Sequence, residues 1–177
     1  MTLSRGVTDA KILLNGIDEG INTVIYTKIT GAESPQLVLK SVESIFPDFT
    51  TDGQIDEPSL GKASNFEIRR ENVSMNNFLT LIHKQSILDT ALDVLSMNLI
   101  GNTTRFEILR QAAIAGKVAF NLEGQRPLGG TITVELSGDD LASWIEAATW
   151  HKGRDTVPRR INDDRTMNQD GDAATWH

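Results

Sequence analysis

Two carboxylates four residues apart on a helix share one face, a spacing that holds a metal ion or divides acid and base roles. Asp89 and Asp93 have that spacing. No third ligand accompanies them in the same segment, so the simpler reading is a solvated face paired with Arg or Lys from a strand. His83 offers an imidazole suited to acid–base work, but the other histidines, His151 and His177, fall at or beyond the last helical pattern. Ser86 has no neighbouring base and no Gly-rich elbow, so it does not read as a nucleophile. Gly129-Gly130 precedes a strand, the reverse of a phosphate-binding strand–loop–helix. The carboxylates Asp48, Asp52, Asp56 and Glu57 lack the spacing and the closing Glu of a calcium loop. The sequence therefore leads to no catalytic residue, no metal and no cofactor.

Cations are the remaining chemistry. The net charge is −7, a poor start for a generic binder of polyanions. Residues 1–150 hold 12 Lys/Arg against 19 Asp/Glu, and the remainder 5 of each. Two segments run against this trend. One carries Lys62, Arg69, Arg70 and Lys84 against Glu67 and Glu71; the other carries Arg105, Arg110, Lys117 and Arg126 against Glu107 and Glu123. Were their strands adjacent, one basic face would result, and it would contact phosphates and sugars rather than base edges.

The elements that must position these residues follow from periodicity and punctuation. Ile21–Thr30 is β-branched apart from Asn22, Tyr26 and Lys28 and reads as a strand. Ser34-Pro35 caps and starts a helix whose apolar stripe is Leu37, Val38, Val42, Ile45 and Phe46, stopped by Pro47. Asn65–Val73 alternates as a half-exposed strand, with Arg69 and Arg70 on opposite faces. Residues 74–99 are helical with an interruption at His83–Ser86, and Gly101 ends them. Two strands are expected at 102–109 and 112–121, with a turn at Arg110–Ala112 and a bulge at Gly116. Thr131–Leu136 forms another strand, and Leu141–Trp150 a last helix. The order is β-α-β-α-β-β-β-α.

Residues 1–20 read as a partly ordered arm, 21–150 as one α+β domain, and 151–177 as a flexible polar tail. With 39% hydrophobic and 23% charged residues the composition is globular. The absence of cysteine removes disulfides and thiolate chemistry and fits an intracellular protein. No apolar run reaches the length of a membrane span, and no secretory signal is legible.

Four stretches carry a family resemblance: SPQLVLKSVESIFPDF, HKQSILDTALDVL, TTRFEILRQAAIAGKVAFN and LGGTITVEL. In this order they resemble an uncharacterised archaeal family of small proteins predicted to bind RNA and often described as exosome-associated. That family is similar in fold to the ribosomal protein that binds 5S ribosomal RNA. The resemblance spans residues 22–150 and implies helices packed on one face of a mainly antiparallel sheet. Relatives look more basic near the central motif, with Arg or Lys where this chain has Ser86 and Leu92.

The resulting expectation is a non-enzymatic cytoplasmic module. It would recognise structured RNA by backbone and shape, in connection with RNA processing. The expected phosphate-contacting cations are Arg110 and Lys117 first, then Arg105, Lys84 and Arg69. The alternative is a protein-interaction or scaffolding subunit without RNA contact, in which an exposed sheet edge also permits a homodimer.

Overall fold

A computed structural model describes residues 14–51 and 55–161. Five strands form one antiparallel sheet: β1 (Asn22–Gly31), β2 (Ser64–Glu71), β3 (Thr103–Leu109), β4 (Phe120–Asn121) and β5 (Thr131–Ser137), in spatial order β2-β1-β5-β3-β4. The helices are α1 (Pro35–Ile45), α2 (Asn76–Lys84), α3 (Leu88–Met97), α4 (Arg110–Ile114) and α5 (Leu141–Ala148). The α+β class and the antiparallel sheet agree with the sequence reading.

Strand alternation decides which face is covered. Ile25, Ile29, Phe106, Ile108, Ile132, Val134 and Leu136 point to the helical layer and are buried. There they meet Val42, Phe46, Phe78, Leu92, Leu95 and Ile145. Four phenylalanines form the aromatic centre: Phe78 lies 6.0 Å from Phe46, 5.6 Å from Phe106 and 6.3 Å from Phe120, centroid to centroid. Each buried ring contributes on the order of 2–3 kcal/mol through desolvation. Among the described residues the opposite face carries no helix.

Local chemistry sets the helix ends. Ser34 caps α1, accepting from the Leu37 N–H. The predicted helical interruption is real: α2 and α3 are separate helices, and Ser86 between them takes a left-handed φ of 57°. The expected strand at 112–121 is largely absent. Residues 110–114 wind into α4, Gly116 lies in the turn after it with φ 71°, and only Phe120–Asn121 pairs with β3. The small residues Ala112, Ala113 and Ala115 favour helix over strand, and α4 packs against α1.

The domain runs further at both ends than composition implies. Asn15 accepts at its carbonyl from Met75, and the Glu19 carboxylate accepts from Asn15 N, Gly16 N and the Trp144 indole. Burial alone would raise the Glu19 carboxyl, but these hydrogen bonds outweigh it and hold it below its ordinary value. Beyond Trp150, a 3-10 turn at Lys152–Asp155 inserts Arg154, which is 6% exposed. Residues 151–161 are therefore packed against the domain rather than forming the start of a free tail. The parts of the expected arm and tail at 1–13 and 162–177 lie outside the described residues.

Candidate functional site

The open face of the sheet gathers the charged residues of four strands. β1 contributes Val24, Tyr26 and Lys28, and β2 contributes Glu67, Arg69 and Glu71. β5 contributes Thr133 and Glu135, and β3 contributes Arg105 and Glu107. Glu135 sits at the middle of this surface. Its carboxylate accepts from the Tyr26 hydroxyl at 2.9 Å and pairs with Arg69 at 3.5 Å and Arg105 at 3.9 Å. Arg69 also stacks over the Tyr26 ring, 5.0 Å from its centroid, a cation–π geometry. Glu67 lies 4.0 Å from Arg69, and Glu107 lies 3.4 Å from Arg105. Glu107 in turn accepts from Asn121 at 2.9 Å. Burial pushes the Tyr26 phenol up, the hydrogen bond to Glu135 adds to this, and Arg105 opposes it.

The face thus holds three cations among four carboxylates, with each arginine on a carboxylate partner. The strands β2 and β3 are not adjacent, being separated by β1 and β5, yet Arg69 and Arg105 share this face and both turn onto Glu135 rather than onto open solvent. What the reading lacked was register, which sets Glu135 directly opposite Arg105.

Arg110 is a correction. Expected together with Lys117 as a leading phosphate contact, it is 6% exposed and works inside the fold. Its guanidinium donates to Glu33 at 2.6 Å, to the Gly129 carbonyl at 2.5 Å, to the Lys28 carbonyl at 3.2 Å and to Thr27 Oγ1 at 3.4 Å. A buried guanidinium needs such a full set of acceptors. It passes so close to Gly130 that a Cβ there would overlap it, and Gly130 also sits at φ 75°. This explains Gly129-Gly130, which carries no phosphate chemistry. Arg110 is a structural tie between the loop before α1, β1 and the loop before β5.

Lys84 and Lys117 are exposed, and each lies beside a residue of one clasp. The Gln85 amide donates to the Val118 carbonyl at 2.9 Å and accepts from the Val118 N–H at 2.7 Å. The end of α2 and the chain entering β4 are thereby fixed side by side. Neither lysine has an ion-pair partner among the described residues. His83 is exposed beside them.

Asp89 and Asp93 are both engaged, by the C-terminal segment rather than by a strand. Asp89 bonds His151 Nε2 at 2.9 Å and Arg154 Nη2 at 3.1 Å, and Asp93 pairs with Arg159 at 2.5 Å. Burial alone would raise the Asp89 carboxyl, but the bonds and charges of His151 and Arg154 prevail and hold it below its ordinary value. The two carboxylates act as anchors. Among the described residues no group of three His, Cys, Asp or Glu side chains is arranged around a metal position, and no helix is long and apolar enough to cross a membrane.

This α+β fold, a five-stranded antiparallel sheet with helices, is similar to that of UPF0201 proteins, whose name carries no activity. No family model matches the chain. It is 28% identical over 130 residues to a UPF0201 protein of Sulfurisphaera tokodaii, covering 71% of this chain and 87% of the relative. It is 27% identical over 135 residues to one of Methanothermobacter thermautotrophicus, covering 76% of this chain and 93% of the relative. Among solved structures, the crystal structure of the UPF0201 protein from Methanococcus jannaschii matches with a TM-score of 0.59 and 27% identity, over 75% of this chain and 96% of that one. The resemblance to an uncharacterised archaeal family is met by these proteins.

Proposed function

We propose that the chain is a non-catalytic cytoplasmic binding module that presents the open face of its sheet to a protein partner. One observation carries this reading: the Arg69–Tyr26–Glu135–Arg105 constellation is internally braced, with both arginines exposed and Tyr26 and Glu135 half-buried between them, on a face whose charges nearly cancel. Tyr and Arg are the side chains that protein interfaces favour, because they offer contact area at low entropic cost once their positions are held. A surface with three cations among four carboxylates gives a polyanion little net attraction. The test is capture of partners on immobilised protein after nuclease treatment, comparing the wild type with Tyr26→Ala and Arg105→Glu. Loss of a nuclease-resistant partner in both variants supports the reading. Equal capture by all three contradicts it.

A second reading, binding of structured RNA in connection with RNA processing, is favoured by one feature, the unpaired Lys84 and Lys117 beside the Gln85–Val118 clasp. It retains two of the five cations expected from sequence as free contacts. Arg69 and Arg105 are engaged by carboxylates, and Arg110 is removed from consideration.

A further inference from the structure

The sheet has two edges, and they are unequal. β4 has 2 residues, whereas β2 has 8. A long edge strand is a template for another strand, and natural sheets usually shorten or cover it. The direction of its free groups follows from the β1 ladder. The Asn72 N–H donates to the Thr23 carbonyl at 2.8 Å, and the antiparallel register continues through Ile25↔Arg70 and Thr27↔Ile68. In an antiparallel ladder the bonded pairs alternate. Ser64, Phe66, Ile68 and Arg70 therefore face β1, and Asn65, Glu67, Arg69 and Glu71 direct their N–H and C=O groups outwards. The side chains of the outward set all lie on the open face.

We propose that β2 pairs antiparallel with β2 of a second copy of this chain, about a two-fold axis between the two Ile68 residues. This alignment satisfies three independent requirements. First, it pairs all four outward-directed residues, since Asn65 faces Glu71 and Glu67 faces Arg69, each twice by symmetry. Second, every one of those pairs joins residues whose backbone groups point across the interface, and Ile68 meets Ile68 at a non-bonded position where side chains approach closely. Third, the charges are self-complementary: carboxylate meets guanidinium at two symmetric positions, and the amide of Asn65 meets the carboxylate of Glu71 at two more. Shifting the alignment by two residues sets Glu67 against Glu67 or Arg69 against Arg69. An isologous interface of this kind closes after two copies, giving one continuous ten-stranded sheet.

The Arg70 guanidinium donates to the Arg69 carbonyl at 2.7 Å and to the Thr50 carbonyl at 2.7 Å. On pairing, the first bond is exchanged for the N–H of Glu67 from the other copy, and the second keeps Arg70 in place. The second copy docks on a strand edge, so the inference does not rest on what the open face binds.

The test is sedimentation equilibrium of the full chain across a concentration series, with circular dichroism to verify that each variant is folded. The wild type is expected to dimerise reversibly. Glu67→Arg sets guanidinium against guanidinium twice and should weaken association about tenfold or more. Arg69→Glu does the same with carboxylates. Mixing the two variants restores opposite charges at both positions, so a heterodimer is expected where neither variant pairs with itself. Glu67→Pro removes an outward N–H that β1 does not use, and it too should yield a monomer. A wild type that stays monomeric throughout the series overturns the proposal. So does a dimer that Glu67→Arg and Glu67→Pro leave intact, or folded charge variants that fail to associate when mixed.

Discussion

The guanidinium of Arg110 meets the carboxylate of Glu33 at 2.6 Å, with the arginine side chain 6% exposed and the glutamate 29%. The two residues lie 77 positions apart, and their bond ties the start of α4 to the loop before α1. Removing one partner of a buried ion pair strands the other. Arg110→Ala should therefore cost about 3–5 kcal/mol, read by denaturant or thermal unfolding. Gly130→Ala should also destabilise, because its Cβ would overlap the same guanidinium. Binding of any RNA by the folded fraction should be unchanged in both variants. A stable Arg110→Ala protein with weakened RNA binding would restore the phosphate-contact role.

The sequence made the elements legible and left the site mostly hidden, for a physical reason. Period and punctuation are local, so β1, α1, β2, β5 and the break at Ser86 could be read from neighbours. Burial of Arg110 depends on Glu33 and Gly129, and neutralisation of Arg105 depends on Glu135; these partners arrive only with the tertiary fold. Arg154 and Arg159 looked like tail because their segment is polar, yet each matches a carboxylate on α3. The separation of Arg69 from Arg70 onto opposite faces was legible, because it needs only strand alternation. The strand misread at 112–121 came from Ile114, Val118 and Phe120, whose spacing suits either form, while the alanines between them tipped the segment into α4.

The C-terminal anchor gives a pH dependence. The Asp89 carboxyl titrates below its ordinary value in the fold, so its stabilisation is complete above the carboxylate range of the unfolded chain. It is lost as pH falls through the lowered native value. Asp89→Asn should flatten this part of the acid stability profile. Hydrogen exchange should show residues 151–161 opening at acid pH in the wild type, and already at neutral pH in the variant. Arg154→Ala should release the same segment at a cost of about 1–3 kcal/mol. Protection of 151–161 unchanged in both variants would contradict the anchor.

Tyr26 is the one tyrosine in the chain, so its phenolate absorbance reports the centre of the open face directly. The group titrates above its ordinary value through burial first and the Glu135 hydrogen bond second. Its contribution to stability is present below the unfolded value and is lost as pH rises through the native one. Glu135→Gln should shift the titration downward. An unshifted titration would show that the Tyr26–Glu135 bond does not form in solution.

Any RNA binding through Lys84 and Lys117 should be weak and should carry a shallow salt dependence. Two phosphate contacts imply a slope of log K against log salt of about −2. The double substitution Lys84→Ala/Lys117→Ala should abolish that dependence. A much steeper slope that survives the double substitution would point to another basic surface.

The most direct measurement of the open-face reading is site-specific photo-crosslinking from position 28, where Lys28 is exposed on that face beside Glu67. With a photoreactive residue replacing Lys28 in cells, the account predicts a discrete protein adduct that persists after nuclease treatment and is lost when Tyr26→Ala is added. An adduct removed by nuclease, or no adduct above that from a residue on the helical side, would contradict it.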